Sequence, residues 1–284
     1  MWSTIYEITE NTIRKFILER VKEKRLSKEP TERLFSYIKN TIRYARIEKI
    51  ITENPIEFLA PRDFTKHSVE SKKPMEEHFF THEELKKIQD ELNAMYNDRP
   101  LYMPRYAVEL AMLTGMRVGE ISCLMWSDIS KDRISINKSE KYSRREKCFY
   151  LDQTKTKKIR EFPLCDEITN LLNHIKGVQE EHGIVSEFIF SDGNLEHIHT
   201  QHIGDCMQRV TKKVGIHGGS ITALRKTINS NLKTSGVPTT IVASMLGHTP
   251  EVNEKYYTYD TSNLEQKKQI IRERNAKIVA LSGV

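Results

Sequence analysis

The sequence predicts a mainly α-helical protein with a small antiparallel β-sheet, divided into two domains. The chain has 284 residues, more than a single hydrophobic core usually organises. Apolar residues recur at helical spacing along much of it, and short alternating apolar runs near residues 134–164 indicate strands. With 38% hydrophobic and 30% charged residues, the composition is that of a globular protein with a heavily charged surface.

Residues 1–60 are predicted to form a helical N-terminal domain. One helix face is apolar and consists of Leu34, Ile38, Ile42 and Ala45. The opposite face is basic and carries Lys39, Arg43, Arg46 and Lys49. For an isolated segment, a solvated helix surface explains these charges better than a phosphate-binding surface does.

Residues 61–78 are predicted to be the linker between the two domains. They are mostly polar and charged, and their few apolar side chains keep neither a helical nor a strand period. Such a composition is typical of a segment that lets two domains move relative to each other.

The second domain is predicted over residues 79–284. Thr81 and Glu84 have the spacing of a capping box that begins its first helix. The sheet should have about three strands, which contain Ile134 and Ile136, Phe149 and Leu151, and Phe162 and Leu164. Further helices are predicted at about residues 166–180, 200–214, 221–234, 238–246 and 262–277.

Charge and cysteine content restrict the compartment and the partners. Lysine and arginine number 45 against 39 acidic residues, and the pI is about 9.0, which is compatible with nucleic-acid binding without being diagnostic of it. The four cysteines are scattered without metal-ligand spacing, so we expect reduced thiols. The sequence has no visible signal peptide and no apolar run of about 18 residues, which predicts a soluble cytoplasmic protein with no membrane partner.

Four short motifs carry the functional interpretation. The segment Leu113–Glu120 reads LTGMRVGE, Leu224–Thr227 reads LRKT, and Leu246–His248 reads LGH. A tyrosine, Tyr257, follows His248 by nine positions. Each motif alone is weak because arginine, histidine and tyrosine are common residues. The four in this order and spacing, however, resemble the tyrosine recombinase family, of the phage-integrase type.

The resemblance implies a site-specific DNA recombinase or integrase that cleaves and rejoins strands through a 3′-phosphotyrosyl intermediate. It makes Tyr257 the nucleophile, in preference to the adjacent Tyr256. Arg117 and Arg225 would bind the phosphate, because a guanidinium offers paired donors and a permanent charge to oxygens on which negative charge develops. The scheme needs no metal and no cofactor, and the sequence shows no metal-ligand constellation.

Further residues complete the site that the resemblance implies. His248 would donate a hydrogen bond to the phosphate. Lys155, with Lys157 as the second choice, would be the general acid that protonates the leaving oxygen. Glu120 is expected to be structural and to brace Arg117.

One departure from the family pattern keeps other interpretations open. The family commonly has a histidine three residues before the second arginine, and this chain has Thr222 there. A threonine hydroxyl can bind phosphate, but it cannot act as an acid or carry charge. The alternative to an active recombinase is therefore a DNA-binding regulator that has lost cleavage. A type IB topoisomerase-like enzyme, which shares the chemistry and acts as a monomer, is a third interpretation.

The resemblance also implies an architecture and partners. Residues 1–60 would be a core-DNA-binding domain that closes with the catalytic domain around double-stranded DNA as a C-shaped clamp. Four protomers would act on two sites, and the tail after Asp260 would dock into a neighbouring subunit or pack within its own. A directionality or DNA-bending factor is a further candidate partner, and no arm-binding module is expected. The run from Leu246 to Asp260 resembles integrases of mobile elements in low-GC Gram-positive bacteria.

Overall fold

Two compact units make up the chain, Met1–Lys73 and Pro74–Val284. The computed structural model describes residues 8–70, 79–154, 159–191, 193, 196–251, 253, 267–269 and 271–272. Within these residues, no helix has both the length and the apolar character that crossing a lipid bilayer requires.

Unit 1 is helical in its described part. Its helices are α1 (Glu10–Glu23), α2 (Lys28–Ile47) and the single-turn α3 (Arg62–Thr65). The first of them begins after Thr9, whose hydroxyl accepts a hydrogen bond from the Thr12 N–H at 3.2 Å. The buried core of the unit consists of Ile13, Ile17, Val21, Phe35, Ile42, Ile56, Leu59 and Phe64.

Helix α2 has the two faces that its sequence predicts. Ile42 and Ala45 are buried, and Leu34 and Ile38 are partly buried against the same core. Lys39, Arg43 and Arg46 of the opposite face are exposed, and so is Lys49, which lies in the turn after the end of α2. The apolar face therefore holds the unit together, and the charged face is available for contact with other molecules.

The predicted linker differs from the structure at its N-terminal end. Within residues 61–78, Phe64 is fully buried, and its ring lies 5.7 Å from that of Phe35. The hydroxyl groups of Thr31 and Ser68 are 2.8 Å apart and share a hydrogen bond. Residues 61–70 are therefore part of unit 1, and residues 71–78 lie outside the described residues. One buried aromatic anchors this segment, and periodicity cannot detect a single residue.

Unit 2 is built around helix α5, nine of whose residues are buried. This helix contacts five others, α4 and α6 to α9. The helices of the unit are α4 (His82–Asp98), α5 (Met103–Thr114), α6 (Val118–Ser122), α7 (Asp166–Glu181), α8 (Thr200–Lys213), α9 (Ile221–Thr234) and α10 (Thr239–Leu246).

The helix predictions for this unit agree with the structure wherever it describes the chain. Thr81 and Glu84 form the expected capping box, with the Glu84 N–H donating to the Thr81 hydroxyl at 3.2 Å. The four helices predicted between residues 166 and 246 correspond to α7–α10. Of the predicted helix 262–277, residues 267–269 and 271–272 are helical, and the other positions lie outside the described residues.

Two separate antiparallel strand pairs are described, instead of the one sheet of about three strands that the sequence predicts. Strand β1 (Arg133–Ile136) pairs with β4 (Arg160–Pro163), and β2 (Lys138–Ser143) pairs with β3 (Cys148–Gln153). The apolar alternation rule misses β2 because its one buried residue is a glutamate, Glu140. The predicted class, mainly helical with a small antiparallel β component, is confirmed.

Candidate active site

The turn after α10 organises the site. This helix ends at Leu246, and Gly247 follows with a φ of +67°, a left-handed conformation that residues with a Cβ rarely adopt. A Cβ at Gly247 would also lie 3.0 Å from Nη1 of Arg160. The next residue, His248, donates its N–H to the Ala243 carbonyl at 2.9 Å, so the turn presents the His248 ring and two successive carbonyl groups to the rest of the site.

Arg225 reaches this turn from helix α9. Its side chain is buried, with a residue exposure of 3%. Nη1 donates to the Gly115 carbonyl at 2.6 Å, and Nη2 donates to the Leu246 carbonyl and, at 2.8 Å, to Nε2 of His248. The guanidinium therefore connects the LTGMRVGE segment with the LGH turn.

Arg117 reaches the same turn from the loop between α5 and α6. Its Nη2 donates to the Gly247 carbonyl at 2.9 Å, and its side chain retains 30% of its exposure. Two predicted phosphate-binding arginines thus donate to adjacent carbonyls, those of Leu246 and Gly247. Residues 108 positions apart in the sequence (225 − 117) are brought into one cluster with His248.

Glu120 is the buried carboxylate of this cluster and binds two of its arginines. Its carboxylate is 1% exposed and accepts hydrogen bonds from the Arg117 N–H at 2.9 Å and from Arg117 Nη1 at 3.0 Å. It also accepts a bidentate pair from Arg160, at 2.8 and 2.6 Å. Burial by itself raises the pKa of Glu120, but the hydrogen bonds and charges of Arg160 and Arg117 outweigh it and lower the pKa to about 2. The carboxylate is therefore ionised at neutral pH.

Arg160 is a member of the cluster that the motifs do not single out. Besides its pair with Glu120, it donates from Nε to the Met245 carbonyl at 3.2 Å, just before the LGH turn. A sequence signal does exist, since Arg160 stands two residues before Phe162 in a strand and so shares its buried face. A charged residue on the apolar face of a strand needs a partner in the interior, and here the partner is Glu120.

His248 is neutral at physiological pH in this environment. Burial, followed by the positive charges of Arg225, Arg117 and Arg160, lowers the pKa of the imidazole to about 3. Because Nε2 accepts a hydrogen bond from Arg225, the proton of the neutral ring resides on Nδ1. His248 therefore offers one N–H donor and no charge.

Of the remaining predicted site residues, the structure describes Thr222 alone. Thr222 is exposed in the first turn of α9, three residues before Arg225. Lys155, Lys157 and Tyr257 lie outside the described residues.

Asn253 is the last described residue before Tyr257, and its side chain lies in the interior. Asn253 donates from Nδ2 to Oδ1 of Asn229 at 2.6 Å, and both residues are fully buried. Asn229 belongs to α9, the helix that also carries Arg225. A buried hydrogen bond thus connects Asn253, four positions before Tyr257 in the sequence, to the helix that holds the second arginine.

The cluster has the electrostatic character of an anion-binding site. The cluster contains three guanidinium groups and one carboxylate, which leaves two positive charges at neutral pH. Their donors are held in place by carbonyl groups and by Glu120 before any ligand arrives. Preorganised guanidinium donors of this kind suit a phosphate that gains negative charge during a reaction.

Fold and site together define a helical domain in which dispersed arginines converge on a glycine–histidine turn. Residues 78–263 match the Phage integrase family. The chain belongs to this family.

Comparisons with individual proteins agree with this assignment. The chain is 28% identical over 202 residues to the ICEBs1 integrase of Bacillus subtilis (strain 168). The matched region covers 71% of this chain and 49% of that relative. The chain thus spans about half the length of this relative.

Two solved structures have the same fold. An integrase of the Tn1549 transposon in complex with a circular intermediate DNA gives a TM-score of 0.73 at 17% identity, with 95% of this chain and 86% of that chain covered. A lambda integrase tetramer bound to a Holliday junction gives a TM-score of 0.62 at 19% identity, with 90% of this chain and 66% of that chain covered.

Proposed function

We propose that the protein is a site-specific DNA recombinase that cleaves and rejoins strands through a 3′-phosphotyrosyl intermediate. The observation that carries this proposal is the convergence of Arg117, Arg225 and His248 on the turn at Gly247, in a member of the phage integrase family. Residues that meet at one turn from three distant motifs are arranged as a unit that receives one ligand.

The proposed reaction begins with the attack of the Tyr257 hydroxyl on a DNA phosphorus atom. A bond forms between the phenolic oxygen and phosphorus, the phenolic proton passes to solvent water, and the bond from phosphorus to the 5′-oxygen breaks. Lys155 supplies the proton to the leaving 5′-oxygen, and the reverse attack by a 5′-hydroxyl rejoins the strands. Because the ester keeps the energy of the phosphodiester, the reaction needs no cofactor.

Arg117 and Arg225 would stabilise the negative charge that develops on the non-bridging oxygens. Glu120 and Arg160 hold Arg117 and the turn, so we assign them positioning roles. His248 would add a hydrogen bond to the phosphate. A neutral donor is suitable here, because the two arginines already supply the positive charge.

Unit 1 would contribute DNA binding through the basic face of α2. A groove of about 760 Å³ lies beside this face, and Lys39, Arg43, Arg46 and Lys49 are among its lining residues. Tyr37 and Tyr44 are exposed on the same helix. Exposed cations together with aromatic rings favour contact with a nucleic-acid backbone. The clamp and the domain roles predicted from the sequence stay predictions.

We further propose double-stranded DNA as the substrate, a homotetramer on two sites as the active assembly, and integration or excision of a mobile element as the role. The solved relatives support this, since one is a transposon integrase with circular intermediate DNA and another is a tetramer on a Holliday junction. The tail after Asp260 would connect neighbouring protomers, and the reaction would take place in the cytoplasm. A directionality factor stays a prediction.

A DNA-binding regulator without cleavage is the second candidate. The observation that favours it is Thr222, whose exposed side chain stands where the family commonly has a histidine. A hydroxyl in this place binds phosphate without supplying a proton. Arg117, Arg225 and His248 are nevertheless held together, which favours the enzyme.

The decisive experiment uses a suicide DNA substrate with a nick near the scissile phosphate, so that the cleaved end diffuses away. Fragments from the element junctions that flank the gene are screened with wild-type protein and with Tyr257→Phe and Tyr256→Phe. We expect a protein–DNA adduct that survives denaturation with wild type and Tyr256→Phe and is absent with Tyr257→Phe.

Other outcomes have definite meanings. An adduct that disappears with Tyr256→Phe and persists with Tyr257→Phe would move the nucleophile by one residue. Sequence-specific binding without any adduct would reject the enzyme and favour the regulator. Tight binding by a variant with Lys39, Arg43, Arg46 and Lys49 all changed to glutamine would reject the DNA-binding role of α2.

A further inference from the structure

A buried carboxylate and two imidazoles meet in unit 2, outside the residues assigned to the proposed reaction. Oε1 of Glu140 lies 2.8 Å from Nε2 of His197 and 2.6 Å from Nδ1 of His199. One oxygen and two nitrogens that can each act as a metal ligand lie within 4.8 Å of one another. The three side chains therefore converge on one small volume.

Local backbone structure explains why the two histidines face the same way. His197 pairs with Ser191 in an isolated bridge, and the Ile198 N–H donates to the Phe190 carbonyl at 2.8 Å, so this segment is extended. Side chains alternate along an extended chain, and buried Ile198 occupies the interior side. His197 and His199 consequently share the opposite side, where Glu140 arrives from β2.

The charge of Glu140 lacks a permanent counterion among the described residues. Its side chain has no exposed surface, and its ion-pair partners within 4 Å are the two histidines. Glu120, by comparison, is buried with two arginines. Burying a carboxylate is costly unless hydrogen bonds and opposite charge compensate it. Glu140 accepts hydrogen bonds from both rings and from the Thr200 N–H, but no described residue beside it carries a permanent positive charge. A bound cation would supply the missing charge.

We propose that Glu140, His197 and His199 bind a divalent first-row transition-metal ion of the Zn²⁺ type. Imidazole nitrogen and carboxylate oxygen are ligands that Zn²⁺ accepts, and three protein ligands with water in the fourth position make a complete tetrahedral site. His199 keeps 32% of its side-chain exposure, which leaves a route for the ion and a place for the water.

The geometry requires only small movements. Ligands about 2.0–2.1 Å from a tetrahedral ion are roughly 3.3 Å apart, so Oε1 and the two ring nitrogens must separate by about 0.5–0.7 Å. Each neutral ring must place its proton on the nitrogen that faces away from the ion. The Thr200 N–H donates to Oε2 of Glu140 at 2.7 Å and leaves Oε1 for the metal. Such an outer contact orients a ligating carboxylate.

The ion would connect three parts of unit 2: strand β2, the extended segment at Ile198, and the start of α8. Phe149 of β3 stacks on the His199 ring, with 4.0 Å between the ring centroids. His199 would therefore contact both strands of the β2–β3 hairpin, β3 through this stacking and β2 through the shared ion. The competing explanation is that the same contacts are hydrogen bonds that cap α8 and bind no metal.

Calorimetric titration of the full chain with Zn²⁺ distinguishes the two explanations. Cys148 and Cys165 are changed to serine in every version, because exposed thiols also bind zinc. The protein is stripped with a chelator and compared with Glu140→Gln, His197→Gln and His199→Gln. His217→Gln is the matched control, since His217 is an exposed histidine outside the cluster. Circular dichroism without metal checks that each variant folds.

We expect one Zn²⁺ per chain in the wild type, a rise in Tm on binding, and slower hydrogen exchange of the β2 amides. His197→Gln and His199→Gln should weaken binding by more than about tenfold, and His217→Gln should leave it unchanged. If His197→Gln fails to fold, the partly exposed His199→Gln still provides the test. Absence of a saturable site, or equal affinity in folded His199→Gln, would overturn the proposal.

Discussion

Nη2 of Arg225 donates a hydrogen bond to Nε2 of His248 over 2.8 Å. Burial and, after it, the permanent charge of this guanidinium disfavour an imidazolium at His248 and lower its pKa. The contact also orients the buried Arg225 side chain before any DNA is present. In the proposed reaction, donors that are already oriented stabilise developing charge without first having to reorganise.

Changing Arg225 to lysine tests the importance of the guanidinium fork. Lysine keeps the charge but lacks the planar fork, whose two Nη atoms donate to the carbonyls of Gly115 and Leu246 and to His248. We expect adduct formation on the suicide substrate to fall by at least about 100-fold. Arg133→Lys, at a partly exposed position on β1, is the matched control and should keep wild-type activity. Equal rates in the two variants would contradict a role for the fork.

Changing Glu120 to glutamine removes the charge that two arginines share. The isosteric amide cannot balance Arg117 and Arg160, so the free energy of unfolding at pH 7 should decrease by about 3 kcal/mol. Urea denaturation measures this change. Glu161→Gln, at an exposed carboxylate that pairs with Arg133, should alter stability by less than about 1 kcal/mol. A loss no larger than that of Glu161→Gln would show that the cluster does not depend on this charge.

The pH dependence of stability should report the neutral state of His248. Its folded pKa of about 3 is below the value of about 6.5 expected in the unfolded chain, so the unfolded state binds more protons between these values. The contribution of neutral His248 to the unfolding free energy is fully present above pH 6.5 and is lost as the pH falls toward 3.

Between pH 6.5 and 4.5 the buried carboxylates contribute little, because the unfolded pKa of glutamate is about 4.3. Unfolding free energies measured across this window should fall with decreasing pH in the wild type. His248→Gln keeps an acceptor for Arg225 and should have a smaller slope. The same slope in both proteins would mean that other groups cause the pH dependence.

Gly119 should not tolerate a side chain. A Cβ at this position would lie 2.7 Å from the Glu140 carbonyl oxygen and 2.6 Å from the Ser139 hydroxyl, because α6 packs directly on β2. Gly119→Ala should therefore lower the unfolding free energy by about 1–3 kcal/mol, measured in urea. Gly204→Ala is the matched control in α8, where a Cβ meets no atom within 4 Å, and it should be neutral or stabilising. Similar effects at the two positions would contradict the close approach.

The hydrogen bond between Asn229 and Asn253 should couple stability to activity. Asn253→Ala removes a buried partner and should cost about 1–3 kcal/mol of stability. Adduct formation should slow as well, because Asn253, four positions before the proposed nucleophile, loses its contact with α9. A double-mutant cycle with Asn229→Ala should give a coupling energy of at least about 0.5 kcal/mol, whereas additive effects would show that the pair acts independently.

The predictions from sequence succeeded where residues act through local patterns. Apolar periodicity and glycine residues at helix ends predict helices α7–α10. Two residues three positions apart predict the capping box at Thr81. The predictions failed for β2, whose buried position is a glutamate, and for residues 61–70, where a single phenylalanine provides the anchor. A pattern needs several residues to be recognised, and a single buried contact is invisible to it.

By itself, the sequence determined the family, the fold class and the candidates Arg117, Arg225 and His248, because their motifs are short and contiguous. Only the tertiary structure brought these residues to one turn, added Arg160, and joined Glu140 to histidines 57 and 59 positions away. The physical reason is that buried charges need partners at hydrogen-bond distance, and the fold selects those partners without regard to their separation along the chain.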